Sequence, residues 1–422
     1  MSASLNPLHL AVALDDAGWH PAAWREPGAR PRDLLTAGYW AEAVAEAERG
    51  LLDFVTFEDS LALQSSDRTG PDDRTDQVRG RLDAVLVAAR VAPLTTHIGL
   101  VPTAVATHTE PFHLSKAIAT LDYVSSGRAG LRVRVSARPD EAAHFGRRSF
   151  PPPVGAAEPG RPQAPDLVTE LYDEAADYVE VVRRLWDSWE DDAEIREVAT
   201  GRFIDRNKLH YTDFHGRHFS VKGPSITPRP PQGQPLVTAL AESAVPYRLV
   251  ARATDVGYVT AHDADEARTI VAAVRAEQEA AGRNDDTVHV FGDLVVFLDE
   301  RPGVARARRD RLDALAGETW TSDAEVFTGT PSQLADLLLE WRRAGLTGFR
   351  LRPATIGRDL PAITRGLVPE LQARGAFRRS YEARTLRGLL GLPRPANRYA
   401  TAATAGAAAA AGITGAAGTV GA

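Results

Sequence analysis

The sequence predicts an α/β chain folded as a (β/α)8 barrel with insertions. Two observations carry this expectation. Eight short apolar runs alternate with amphipathic stretches of helical period, and helix-starting and helix-stopping residues fall at the junctions. The strand candidates are residues 9–14, 53–57, 97–102, 131–136, 235–240, 256–261, 289–298 and 348–352. The helical patterns are residues 37–50, 82–91, 111–125, 167–189, 244–254, 264–282, 331–344 and 360–375. Each strand candidate is apolar almost throughout, as a parallel strand must be when helices cover one face and barrel side chains fill the other. Asp263 and Thr330 stand where N-caps belong, and Pro331 stands at a first helical position. Gly50, Gly282, Gly345 and Gly375 stand where helices should stop. Arg132 and Arg134 break the apolar pattern of the fourth strand.

Two stretches lie outside the alternation. Residues 139–165 are rich in Pro, Arg and Gly and follow the fourth strand, and residues 191–234 follow the fourth helix. Barrel function sits on loops after the C-terminal ends of strands, so the first excursion is the better lid candidate. One barrel domain over residues 1–399 is expected, followed by an Ala- and Gly-rich tail, 400–422, that reads as disordered.

Composition narrows the function class. No run of about eighteen apolar residues could span a bilayer, and the start of the chain lacks the basic and apolar segments of a secretory signal. A cytoplasmic protein is expected. The absence of cysteine excludes disulfides, thiolate metal sites and cysteine nucleophiles, and the net charge of -7 gives no general attraction for nucleic acid. Small molecules are the expected partners. No paired-histidine zinc helix, nucleophile elbow or phosphate loop ending in Lys and Ser is present, and the scattered histidines point to no metal. His215 and His218 are spaced by three, but Gly216 between them favours a loop.

Three positions after strand ends invite a functional reading beside a structural one. Asp59, in 53–63 (DFVTFEDSLAL), is placed to meet a ligand or to cap the next segment, and Thr103 and Thr107 could contact a ligand or close local turns. His20 lies beyond the first strand, at the pocket border or in an exposed loop. Of the tryptophans, Trp186 and Trp341 sit on helix stripes and read as packing.

Several segments together resemble the nitrilotriacetate and dibenzothiophene-sulfone monooxygenase branch of the bacterial-luciferase-like family. They are 53–63, 110–114 (EPFHL), 126–130 (SGRAG), 185–189 (LWDSW) and above all the closing 390–399 (LGLPRPANRY), in family order from about Trp19 to Tyr399. The resemblance implies an FMN-using two-component monooxygenase. A separate reductase would deliver reduced FMN, and oxygen activated by it would oxygenate a small organic substrate, often sulfur- or nitrogen-bearing. That fits a chain without a visible catalytic triad, because the cofactor carries the chemistry while the protein orients it and excludes water. The resemblance also implies a homo-oligomer.

Carried over position by position, the resemblance assigns flavin contact to Asp59, Thr103, Ser136, Tyr172 and Ser243. Ser243 opens a helix, where a hydroxyl and free N–H groups suit a phosphate. No acid or base is singled out. Departures accompany these matches. Arg132 and Val135 replace an Asn and a Thr, Pro246 and Tyr247 replace a Gly and an Arg, Ala241 replaces a Gly, and Val168 stands where a His is usual. Either Arg132 or Arg134 re-creates the lost positive charge, so that FMN or a deazaflavin still binds, or the site has drifted. The alternatives to the monooxygenase are therefore a deazaflavin-dependent oxidoreductase and a non-catalytic barrel subunit.

Overall fold

A computed structural model describes residues 7–65, 70–150 and 165–400. The expected tail and most of the excursion beyond residue 150 lie outside the described residues.

Eight parallel strands close on one another. They are His9–Leu14, Phe54–Phe57, Gly99–Val105, Gly130–Arg134, Leu236–Ala241, Val256–Val259, His289–Leu298 and Gly348–Pro353. Each pairs with the next, and the eighth returns to the first. The first and seventh match the expected bounds, and the others differ by one to three residues at an end, the ordinary uncertainty of strand limits. The helix punctuation holds too. Asp263 accepts from Glu266 N, and Thr330 forms a reciprocal capping box with Gln333.

The alternation is interrupted once where the sequence reading had it regular. Helix Pro302–Ala316 and strand Glu325–Gly329 stand between the seventh strand and the helix Pro331–Arg343. The reason lies in strand length. The seventh strand has ten residues and the sixth only four, so its upper edge runs on unpartnered; Glu325–Gly329 pairs with Leu294–Leu298 and covers that edge. The inserted helix is anchored through buried Arg308, whose guanidinium reaches Asp359 (Nη2–Oδ1 2.5 Å) on the last long helix.

The barrel interior changes character along its axis. At the N-terminal end it is apolar: Phe54, Val101, Leu236, Val256 and Phe291 pack with Leu386, Leu390 and Leu392 from the closing segment. That segment plugs the barrel, and the fit is tight, since a Cβ on Gly99 would lie 2.5 Å from Leu386. His289 Nε2–H donates to Leu390 O at 2.9 Å and ties the plug to the wall. Toward the C-terminal ends of the strands the apolar layer gives way to charge.

Candidate functional site at the C-terminal mouth

Period two along a strand sends alternate residues inward, and in the eighth strand these include Arg350 and Arg352. Both are almost fully buried, as is Asp293 on the seventh strand. Arg350 grips Asp293 through two nitrogens (2.9 and 2.5 Å) and also donates to Glu58 Oε1 at 3.0 Å. Arg352 shares Asp293 and forks onto Asp323 at 2.6 and 2.9 Å. Arg132 Nη1 completes the series, donating to Glu58 Oε2 at 2.5 Å and to Thr103 Oγ1 at 3.2 Å. Carboxylates and guanidiniums therefore alternate: Arg132, Glu58, Arg350, Asp293, Arg352, Asp323. Tyr258 stacks under Arg350 with its ring centre 4.3 Å from the guanidinium carbon, and Trp19 under Arg352 at 4.4 Å.

Burying charges costs several kcal/mol per ion, and an apolar layer of equal volume would generally serve stability as well or better. The alternation offsets part of that cost. Burial pushes the Glu58 carboxyl up, but Arg132, Arg350 and Arg352 overcome it and hold the group at about 2. For Arg352, burial disfavours the cation while Asp293 and Asp323 more than restore it. Arg132 is the exception. Burial lowers its pKa, and Glu58 only partly compensates.

The residues singled out in the sequence gather at this same mouth, with different degrees of freedom. Asp59 accepts from Ser60 N (2.7 Å) and Ala84 N (3.0 Å), so its carboxylate orders the loop after the second strand, and burial raises its pKa. Thr103 is buried and receives Arg132. Ser136 is buried, with its N–H on Thr107 Oγ1 at 3.0 Å and its Oγ accepting from Arg138 N at 3.2 Å. Tyr172 packs half-buried against the core; burial raises its phenol pKa, with Glu242 adding to the shift and Arg132 opposing it. Ser243 is exposed and makes no side-chain cap bond. Arg134 Nη1 donates to Asp59 O at 2.7 Å.

Ser60 Oγ donates to Glu141 Oε1 at 2.7 Å and ties the second-strand loop to the helix Pro139–Phe145, the described part of the lid candidate. His20 does not lie in an exposed loop. It is buried, accepts Ala22 N on Nδ1 and bonds Asp313 of the inserted helix through Nε2 at 3.0 Å. Glu58, Asp293, Arg350 and Arg352 were missed. A signal existed: two arginines spaced by two in the eighth strand, as in the fourth, and a lone aspartate in an apolar seventh strand, all of which must pair if buried.

Size alone points to the other end of the barrel. A groove of about 770 Å3 lies near the strand N-termini, while the cavity between Asp15, Glu58 and Arg81 holds only about 10 Å3. The larger groove is knitted for docking the closing segment: Arg183 and Arg387 both hold Asp255, and Arg398 holds Glu180 and Asp187. The mouth is the better candidate, because barrel chemistry is built there.

Comparison with known proteins gives the family and the fold. Residues 19–348 match the family model for luciferase-like monooxygenases. The chain belongs to this family. N-acetyl-S-(2-succino)cysteine monooxygenase of Bacillus subtilis is 28% identical, covering 95% of this chain and all of that protein. Nitrilotriacetate monooxygenase component A of Aminobacter aminovorans is 29% identical over 93% of this chain and 98% of its own length. A long-chain alkane monooxygenase of known structure superposes with a TM-score of 0.80 at 22% identity, over 92% of this chain and 96% of that one, and so shares the fold. Of the positions where the sequence departs from the family resemblance, Arg132 alone belongs to the charged layer.

Proposed function

We propose that this protein is the oxygenase component of a two-component monooxygenase that takes reduced FMN from a separate reductase and oxygenates a small organic substrate. The observation that carries the reading is near full-length relatedness to monooxygenases, one of them named as a component A.

The residues fit an FMN at both ends. The ten-residue helix Ala244–Ala253 has no acidic side chain in its first turn and no side-chain cap, so the Ser243 hydroxyl and the N–H groups of Ala244 and Val245 are available to a phosphate. Pro246 has no N–H, which makes this a leaner grip than a full turn of donors. On the ring side, Arg132 Nε is buried without a partner among the described residues. Thr103 receives the same side chain, Tyr172 lies within its electrostatic reach, and Ser136 fixes the loop that leads to the lid helix. The closing segment fills the apolar end of the barrel, so a cofactor would be held by the residues of the mouth.

When bound, reduced flavin supplies the electrons that activate oxygen. The chain would bind and orient it through Ser243 and Arg132, and the Pro139–Phe145 helix would help keep water from the mouth. Equilibrium titration tests this. Saturable binding of reduced FMN, and product formation once a reductase is added, are expected. No binding of FMN, reduced FMN or a deazaflavin into the high micromolar range would return the chain to the non-catalytic alternative, and binding of the deazaflavin alone would reassign the cofactor.

A further inference from the structure

The three arginines of the ion chain are not equivalent. Arg350 has Asp293 and Glu58 on its nitrogens and Tyr258 against its face, and Arg352 has Asp293, Asp323 and Trp19. Arg132 stands at the end of the chain. Among the described residues both of its side-chain bonds, to Glu58 and Thr103, leave from one nitrogen, Nη1, while Nε is buried and has no partner. The side chain is more than nine-tenths buried. A buried guanidinium with an unmet donor is a site waiting for an acceptor, and an anion satisfies both its charge and its hydrogen bond. Its immediate surroundings, Thr103 at 3.2 Å and Tyr172 within electrostatic reach, are two of the flavin-contact positions.

We infer that Arg132 is the ring-side cation of the cofactor site, and that it makes this protein select reduced over oxidised flavin; the inference rests on the functional reading above. The two redox forms carry the same phosphate, so Ser243 and its helix cannot tell them apart. They differ in the ring. Near neutral pH the reduced ring bears a negative charge in its pyrimidine portion and the oxidised ring is neutral, so a fixed cation there favours the reduced form. Such selectivity would suit an enzyme that must capture reduced flavin from a reductase while discarding the oxidised product.

The test is anaerobic equilibrium binding of oxidised and photoreduced FMN to the full chain and to Arg132→Gln and Arg132→Lys, with thermal unfolding to check each fold. The wild type should bind reduced FMN at least about tenfold more tightly, equivalent to raising the bound two-electron potential by about 30 mV. Arg132→Gln should bring the two affinities together, chiefly by weakening the reduced form, and Arg132→Lys should keep part of the preference. The wild-type preference should also shrink as falling pH protonates the reduced ring, a measurement that stands even if Arg132→Gln does not fold. A preference that survives in folded Arg132→Gln, equal affinities in the wild type, or a preference independent of pH would each overturn the inference alone. Failure of the wild type to bind either form would overturn the functional reading and the inference together.

Discussion

The two ends of this barrel are built from the same strands and stabilised by opposite means. At the N-terminal end Phe54, Phe291 and Leu236 meet the Leu386–Leu392 plug, and burial of apolar area does the work. At the C-terminal end Arg132, Glu58, Arg350, Asp293 and Arg352 neutralise one another in a buried chain. The first end gains stability from every contact. The second recovers only part of what desolvation has cost, so stability alone does not account for it.

Substitutions can separate the two ends. The largest effect is expected from Asp293→Ala, which strips two buried arginines of their shared counter-ion and should lower stability by about 3–5 kcal/mol in chemical denaturation. A loss well under about 1 kcal/mol would mean that Arg350 and Arg352 find other partners or water. Next comes Leu386→Ala at the plug, with a loss of about 2–5 kcal/mol from lost burial and the cavity left beside Gly99. Flavin affinity of its folded fraction should be unchanged, and a coupled loss would show that the two ends communicate.

The acid response of the mouth should follow Glu58. Its folded pKa of about 2 lies below its ordinary value of 4.5, so its contribution is present above about pH 4.5 and is lost as pH falls toward 2. The stability gap between wild type and Glu58→Gln should therefore narrow over that window; a constant gap would show that the carboxylate is not the titrating link. The smallest stability effect belongs to Ser243→Ala, within about 0.5 kcal/mol, because the hydroxyl caps nothing in the protein. Its reduced and oxidised FMN affinities should fall by a similar factor, unlike those of Arg132→Gln. Unequal losses would place Ser243 near the ring.

The same contrast explains what the sequence made legible. Apolar period is a local signal, so strands such as His9–Leu14 and His289–Leu298 could be read from their own residues. Helix Pro302–Ala316 escaped because its buried stripe is only Ala305, Leu312 and Ala316 around a buried Arg308, which looks like a solvated face until Asp359 is brought to it. The covering strand Glu325–Gly329 answers a mismatch in strand length that no local pattern records. At the mouth, the positions of Asp59, Thr103 and Ser136 were visible but not their partners. Arg132 reaches Glu58 across 74 residues and Thr103 across 29, and only closure of the barrel makes them neighbours. Spaced arginines within two strands and the lone Asp293 in an apolar seventh strand were the local traces of the ion chain.

That the functional end is the small charged mouth, and not the far larger groove beneath it, is most directly tested by amide hydrogen exchange with and without saturating reduced FMN. Protection is expected at 58–61, 103–107, 132–136 and 243–247, with no change along 183–187 and 252–255. Protection confined to the lower groove, with the mouth unaffected, would contradict the account.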